Sequence, residues 1–494
     1  ARYFHHRSLT ISAPFPYWKR GGAVLIGACL IGLCIFGIRG RTGYNPIKVS
    51  AAYFCQDAFL NQLGVSPTFN LLTSVMDDMR PENKYLHLMD EQEAITKAQA
   101  LLNRPGEANV SPLAVYRHPS MTDSVQRHRP NVVLIMMESM SCKFMKHFGQ
   151  SETLTPFLDS LYTRSISFRN FYSAGIHTNH GLYATLYSFP AMMKRNLMKG
   201  SVIPRYSGLP TVLKENGYYN FFFMTHEGQY DNMNAFFRTN GYDEVFSQED
   251  YPADKVVNSF GVQDDFLYEY AIPVLNQRAA TGQPFFATLL SISNHPPYVI
   301  PPFFHPKTSE PEMQIVEYAD WALRQFFEEA RKQPWFDNTI FVLEGDHGKL
   351  VGDAECELPE SYNHIPLMIY SSRIQPEEKT TFGGQVDIQP TILGLLNIDY
   401  LQNNFGVDLL KEERPCMFYT ADNMIVGRND TLLYLYNYET QQEFTYHIDN
   451  GKLKAVPMDD RFLPLKEYSF SMLQSAEFLV KHGKTLNSIP FTQQ

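Results

Sequence analysis

Two apolar runs that each end in carboxylates limit what this chain can fold into. Asn131-Val132-Val133-Leu134-Ile135-Met136-Met137 leads into Glu138-Ser139, and Thr339-Ile340-Phe341-Val342-Leu343 leads into Glu344-Gly345-Asp346-His347-Gly348. Uncharged runs of that length between polar segments suit strands buried on both faces, and open α/β sheets bind ligands beyond the carboxyl ends of such strands. Between the two lies the loop Gly175-Ile176-His177-Thr178-Asn179-His180-Gly181. Brought together, these stretches offer Glu, Asp, His and a hydroxyl, the donors of one metal site with a nucleophile.

From Pro130 onward short apolar runs alternate with helical periodicity, which predicts βαβ units. Strands are expected at 132–137, 219–224, 285–292, 340–343 and 367–370. Within 311–332 the apolar positions Ile315, Ala319, Ala322, Leu323, Phe326 and Phe327 make one face of a helix that feeds the second run, and 179–188 also reads as helical. After about Pro415 the chain turns to strand-like stretches, 431–438 and 442–447, closed by a helix near 470–482. The expected fold is α/β: a mainly parallel sheet flanked by helices, with a small C-terminal α+β cap.

Residues 21–38 carry no charge, with Lys19 and Arg20 before them and Arg39 and Arg41 after. Such a segment is near the lower length limit for a helix that spans a bilayer. A signal-peptide core is the competing reading, but the run is long for one and no A-x-A-like cleavage site follows it; a buried helix is another. The expected plan is a cytoplasmic or interfacial segment at 1–20, a transmembrane helix at 21–38 and a juxtamembrane connector at 39–128 with helical stretches at 51–63 and 91–102. A catalytic domain at 129–414 and a C-terminal subdomain at 415–494 complete it. Arg2, Arg7, Lys19 and Arg20 slightly outweigh Arg39, Arg41 and Lys48, so the amino end is expected in the cytoplasm and the catalytic domain outside the cell membrane. Because the chain opens on Ala1, a further upstream portion is expected.

The net charge of -10 argues against nucleic acid as a partner, since phosphate backbones demand clustered Lys and Arg. The six cysteines form no C-x-x-C pair. Cys142 follows the first run and Cys356 the second, which leaves open a disulfide between them in an oxidising compartment; free buried thiols are the plainer reading.

Carboxylate, imidazole and hydroxyl donors suit Mn²⁺ or Zn²⁺ better than a thiolate-selected metal. Thr178 stands where a helix starts, and a hydroxyl there ordinarily just caps the helix. A cation touching the same oxygen would lower its pKa and make it a nucleophile, while the helix amides would cradle a phosphate.

In order, the run ending at Glu138, Thr155-Pro156-Phe157-Leu158-Asp159, Asn170-Phe171-Tyr172-Ser173, the His177-Thr178 loop and Gly345-Asp346-His347-Gly348 resemble the lipoteichoic acid synthase and phosphoglycerol transferase family of the sulfatase and alkaline phosphatase superfamily. Further matches are His226 to Met233 with Phe236 to Tyr242, Ser293-Asn294-His295-Pro296, Tyr318-Ala319-Asp320 and Val386 to Thr391, so the resemblance covers roughly 130–400. It implies that Glu138, Thr178, Asp346 and His347 bind one divalent ion, usually manganese, with zinc as the alternative. It further implies that Thr178 is the nucleophile and that His295 meets the substrate phosphate or the leaving oxygen. His226, Asp231, Asn232 and Arg238 are the implied substrate contacts, although the usual Trp-Asn-Arg is missing there and the segment resembles the periplasmic phosphoglycerol transferases more. His177, His180 and His364 are secondary candidates, each with a plain structural reading beside it, and Phe221 to Phe223 read as core.

The implied activity moves a phosphoglycerol head group from phosphatidylglycerol to an acceptor hydroxyl on a glycan, polymer or lipid-linked molecule, through a phosphothreonine at the membrane. Phosphoethanolamine transfer and hydrolysis to a phosphodiesterase product are the alternatives. A formylglycine sulfatase would need a C/S-x-P-x-R motif, which 175–181 lack. A binding protein with a dead site would not keep Glu138, Thr178, Asp346 and His347 together.

Overall fold

The computed structural model describes residues 17–41, 46–55, 58–80, 84–118, 129–200, 203–449 and 451–487. Arg2, Arg7 and residues 119–128 of the expected connector lie outside them. The chain divides after Lys48 into two compact units. The first holds α1 (Tyr17–Arg39), of which Gly21–Arg39 is long and apolar enough to cross a membrane and has none of its length buried.

The second unit begins with α2 (Ala58–Leu63), α3 (Pro67–Asp78), α4 (Glu91–Leu102) and β1 (Val115–Arg117). The alternating part follows as β2 (Asn131–Met137), α5 (Pro156–Tyr162), β3 (Ile166–Tyr172), α6 (Thr178–Tyr187), α7 (Leu209–Glu215), β4 (Tyr219–Met224), α8 (Met233–Thr239) and β5 (Glu244–Phe246). It continues with α9 (Asp264–Ala279), β6 (Phe285–Leu290), α10 (Pro311–Ala330), β7 (Thr339–Gly345), β8 (Leu367–Tyr370), β9 (Glu377–Gly384), α11 (Ile388–Leu395) and β10 (Tyr400–Gln402). The carboxyl end supplies β11 (Met417–Thr420), β12 (Met424–Arg428), β13 (Leu432–Asn437), β14 (Gln442–Asp449), β15 (Lys452–Ala455) and α12 (Leu463–Lys481).

Eight strands form one sheet in the order β5-β4-β6-β2-β7-β8-β3-β9. Both apolar runs sit near its middle, paired in parallel from Asn131 with Thr339 to Met137 with Gly345. Every residue of β2 and β7 is buried. Val132, Leu134 and Met136 point into one apolar core and Val133, Ile135 and Met137 into another, which is why an uninterrupted apolar run suits this position. The sheet is parallel except at β8, antiparallel to both neighbours. The segment from β7 to β8 carries only a 3₁₀ turn, Glu360–Tyr362, so there is no helical crossover to return the chain parallel. Beyond it, β11 to β15 form a five-stranded antiparallel sheet in chain order that packs with α12 as the expected cap.

Three expected elements differ in detail. The helix expected at 51–63 is a 3₁₀ turn, Val49–Ala52, followed by α2, because the Asn61 side chain accepts from the amides of Phe54 and Cys55 at 3.1 Å each and closes a loop. The strand at 285–292 stops at Leu290, since Asp264 captures the amides of Ile292 and Ser293 at 2.8 and 3.0 Å. The last helix starts at Leu463, with Pro464 in its first turn, where the missing amide hydrogen costs nothing. Within the second unit residues 84–118 pack on its carboxyl-terminal part: α4 lies on α12, Glu477 and Gln474 of α12 accept from the Leu86 and Leu88 amides, and β1 pairs with β10. Cys142 and Cys356 are free thiols and form no disulfide with each other.

Candidate metal centre and nucleophile

Glu138 and Asp346 each follow the last residue of a central strand, so the parallel pairing of β2 with β7 sets them side by side at the carboxyl edge of the sheet. Glu138, Asp346 and His347 bring one ligand atom each to within 4.8 Å of one another. Both carboxylates are buried. Burial first, and then the neighbouring Asp346 carboxylate, pushes Glu138 well above the usual carboxylate range.

The surrounding backbone aims these groups. Asp346 Oδ1 accepts from the amides of Ser139 and His347 at 2.8 and 2.7 Å, whereas its buried Oδ2 has no hydrogen-bond partner. Ser139 takes a positive φ of 51° to present its amide, and its hydroxyl donates to Glu138 Oε1 at 2.6 Å. His347 Nδ1 lies 2.7 Å from the Gly348 carbonyl, which fixes the proton on Nδ1 and leaves the Nε2 lone pair toward Asp346 Oδ2 at 3.6 Å and Glu138 Oε1 at 3.9 Å. An orphaned buried carboxylate oxygen, a second carboxylate and an imidazole nitrogen with its lone pair facing them fit a divalent cation of the hard to borderline class.

Thr178 is the first residue of α6, and its Oγ1 lies 3.5 Å from Glu138 Oε2. The helix reaches this position because residue 181 is glycine: a Cβ there would lie 2.2 Å from the Asp346 carbonyl oxygen. Gln385 ties the pieces together, donating to the Asp346 carbonyl at 2.8 Å and accepting from the Ala174 amide at 2.9 Å.

His295 stands beside the cluster with its Nδ1 2.6 Å from the Pro296 carbonyl, so Nε2 is the nitrogen left to act. Its ring lies 4.0 Å from that of Phe260, and burial lowers its pKa below the ordinary imidazole range. His226 is buried and lies 4.6 Å from the Tyr230 ring, and burial first, with a smaller push from nearby His295, lowers its pKa below the ordinary imidazole range. Asp231 is engaged by Lys199 at 2.7 Å and Asn232 donates to the Met198 carbonyl at 3.2 Å, both in the turn that follows His226.

Arg238 has protein partners of its own. Its guanidinium donates to Asn234 Oδ1 at 2.7 Å and to the Val245 carbonyl at 3.2 Å, a brace between α8 and β5. His364 likewise meets the Arg169 carbonyl at 2.7 Å and stacks on Tyr172. His177 bonds Asp422 of the cap at 2.7 Å, and buried His180, held down to about 3 by desolvation, has neither ring nitrogen hydrogen-bonded.

Sequence reasoning passed over Lys349. Its Nζ lies 2.8 Å from Asn294 Oδ1 and 3.1 Å from the Tyr298 hydroxyl, and Asn294 Nδ2 in turn donates to the carbonyls of Glu138 and Ser139 at 3.1 and 3.2 Å. Its position three residues beyond Asp346 was the available signal.

The sulfatase family model matches residues 130–398, more than half of the 494-residue chain. Lipoteichoic acid synthase 2 of Bacillus subtilis (strain 168) is 24% identical over 315 residues, 57% of this chain and 47% of that protein. The chain spans about half the length of the relatives it matches. An alkaline phosphatase superfamily protein from Vibrio parahaemolyticus superposes with a TM-score of 0.71 at 24% identity, covering 82% of this chain and 99% of its own. The lipoteichoic acid synthase LtaP from Listeria monocytogenes does so at 0.63 and 22%, covering 74% and 96%. With two carboxylates, an imidazole and a hydroxyl gathered at the carboxyl edge of this sheet, the chain belongs to the sulfatase family, within which it is similar to proteins named lipoteichoic acid synthase.

Proposed function

We propose that the protein is a membrane-held, metal-dependent transferase that moves a phosphoglycerol group from phosphatidylglycerol to an acceptor hydroxyl through Thr178, with its catalytic domain outside the cell membrane. The observation that carries this reading is the placement of Thr178 Oγ1 3.5 Å from Glu138 Oε2, at the edge of the Glu138, Asp346 and His347 cluster. The relatives named lipoteichoic acid synthase support the substrate class. Glu138, Thr178, Asp346 and His347 would hold the ion, with manganese preferred over zinc because oxygen donors dominate. When bound, such an ion lowers the pKa of the threonine hydroxyl and offsets phosphate charge.

Thr178 gives up its hydroxyl proton to water and forms a bond to phosphorus as the bond from phosphorus to the diacylglycerol oxygen breaks. His295 then supplies the proton that oxygen needs. The arriving phosphate anion favours the protonated imidazole against the desolvation that otherwise keeps it neutral. In the second half the acceptor hydroxyl loses its proton to His295 and attacks the same phosphorus as the bond from phosphorus to Thr178 Oγ1 breaks, and Thr178 regains its proton from water.

The test uses the full chain in vesicles with fluorescent phosphatidylglycerol or phosphatidylethanolamine, with and without Mn²⁺. Labelled diacylglycerol should appear only with phosphatidylglycerol and Mn²⁺, and Thr178→Ala should lower its release by about a thousand-fold or more. Release unchanged in Thr178→Ala removes the nucleophile; release from phosphatidylethanolamine alone reassigns the head group.

A further inference from the structure

Helix α3 presents an apolar surface that the second unit leaves uncovered. Leu71, Leu72, Met76 and Met79 are 64, 60, 64 and 77% exposed, and Leu63 and Phe69 beside them are exposed as well. By contrast α4, also 12 residues long, buries Ala94, Ile95, Ala98 and Leu102. A helix this short is marginal in water unless something covers its apolar side.

Residues 58–76 contain no Asp, Glu, Lys or Arg. The stretch is nevertheless unsuited to crossing a bilayer, because Asn61, Gln62, Ser66, Thr68, Asn70 and Thr73 interrupt it and Pro67 starts a new helix. A short helix with an exposed apolar side, a polar side of Asn70, Thr73 and Ser74, and charge confined to Asp77 and Asp78 at its end fits a segment that lies in the plane of a membrane. Only residues 40–57 separate α2 from the end of the apolar helix α1, a tether of at most roughly 60 Å when fully extended.

The other end of the patch is held in place. Tyr53 and Asn61 are buried, and Asn234 of α8 donates to the Tyr53 carbonyl at 3.0 Å. That is the asparagine braced by Arg238, one turn after the His226 to Asn232 segment beside the candidate metal centre. A surface fixed to α8 would therefore set the height of that segment above a bilayer.

We infer that α2 and α3 form an interfacial membrane-docking element, their apolar side chains seated at the boundary between the head groups and acyl chains of a lipid bilayer. The inference does not depend on which group the enzyme transfers, and its test reads location instead of turnover. The full chain carrying Leu72→Trp is reconstituted in phosphatidylcholine vesicles and its emission is compared with that of the parent and of Val110→Trp, an exposed position on the same unit. The added Leu72→Trp signal should fall about two-fold or more when the acyl chains are brominated and resist aqueous acrylamide, while the Val110→Trp signal does the reverse. Quenching by acrylamide alone would show that α3 faces water, and protection from both quenchers would show that protein covers it, a second copy being the first suspect. Either result overturns the inference. Met79→Trp gives the same readout if Leu72→Trp fails to accumulate.

Discussion

Glu138 and Asp346 are carboxylates buried against each other, and without a cation that arrangement opposes folding. Glu138→Gln should therefore leave the metal-stripped protein at least as stable as the parent. The parent should gain about 2.7 kcal/mol from Mn²⁺ at a hundred-fold excess over its Kd, and the variant little or nothing. Thermal melts with chelator and with Mn²⁺ check both halves, and equal metal-induced shifts in the two proteins would place the ion elsewhere. Lys349 is the second residue to probe, because Asn294 stands between its ammonium group and the carbonyls of Glu138 and Ser139. Lys349→Met should lower diacylglycerol release by roughly ten-fold or more while the fold persists, as a misplaced site costs rate before it costs stability. A variant with parental kinetics would reduce Lys349 to a surface-closing cation. Glu138, Asp346 and His347 could be picked out of the sequence because each follows an apolar run. The bond from Arg238 to the Val245 carbonyl was not legible, because it lies across a turn with no distinctive local pattern.

At the scale of elements, α5 shows how one helix is docked by another. Asp320 of α10 accepts from the amides of Phe157 and Leu158 at 2.9 and 2.8 Å, satisfying the open N-terminus of α5 from outside. Burial raises its pKa from 3.8 to about 7, with the two amides pulling the other way. The folded protein then holds this proton more tightly than the unfolded chain does. The stabilisation is complete below the unfolded value of 3.8 and is lost as pH rises through about 7. Asp320→Asn has no proton to lose, so its stability relative to the parent should rise between about pH 4 and pH 8, by up to roughly 3 kcal/mol. Urea unfolding at the two pH values checks this, and parallel profiles would contradict it. The long periodic elements, α10 and α12, and the buried strands were legible because burial on a fixed face repeats in the sequence. β3, β5 and β9 were not, since β9 is a polar edge strand and β5 is three residues long.

At the scale of the whole second unit, the cap is joined to the catalytic lobe by charge and stacked rings. Arg428 of β12 pairs with Glu360 and lies over the Tyr172 ring, which stacks on Tyr419. Burial alone would raise the Glu360 pKa, but Arg428 carries it down to about 2. Its contribution is therefore present above the unfolded value of 4.5 and is lost as pH falls toward 2. Arg428→Met should destabilise the protein by about 1–3 kcal/mol at neutral pH, and the deficit should shrink as pH is lowered through 4. Unfolding monitored at both pH values is the check; a deficit independent of pH would assign the loss to packing alone. The sequence by itself determined that 131–137 and 339–343 are strands buried on both faces, that carboxylates and an imidazole follow their ends, and that 21–38 is apolar enough for a bilayer. These follow from side-chain polarity read along a short stretch. Only the tertiary structure decided that β8 runs backward, that Asp346 keeps one oxygen unpaired while two amides hold the other, that Arg238 braces α8, and that α3 keeps its apolar side uncovered. Each of those depends on groups brought together from distant parts of the chain, and local polarity carries no record of which partner a residue will meet.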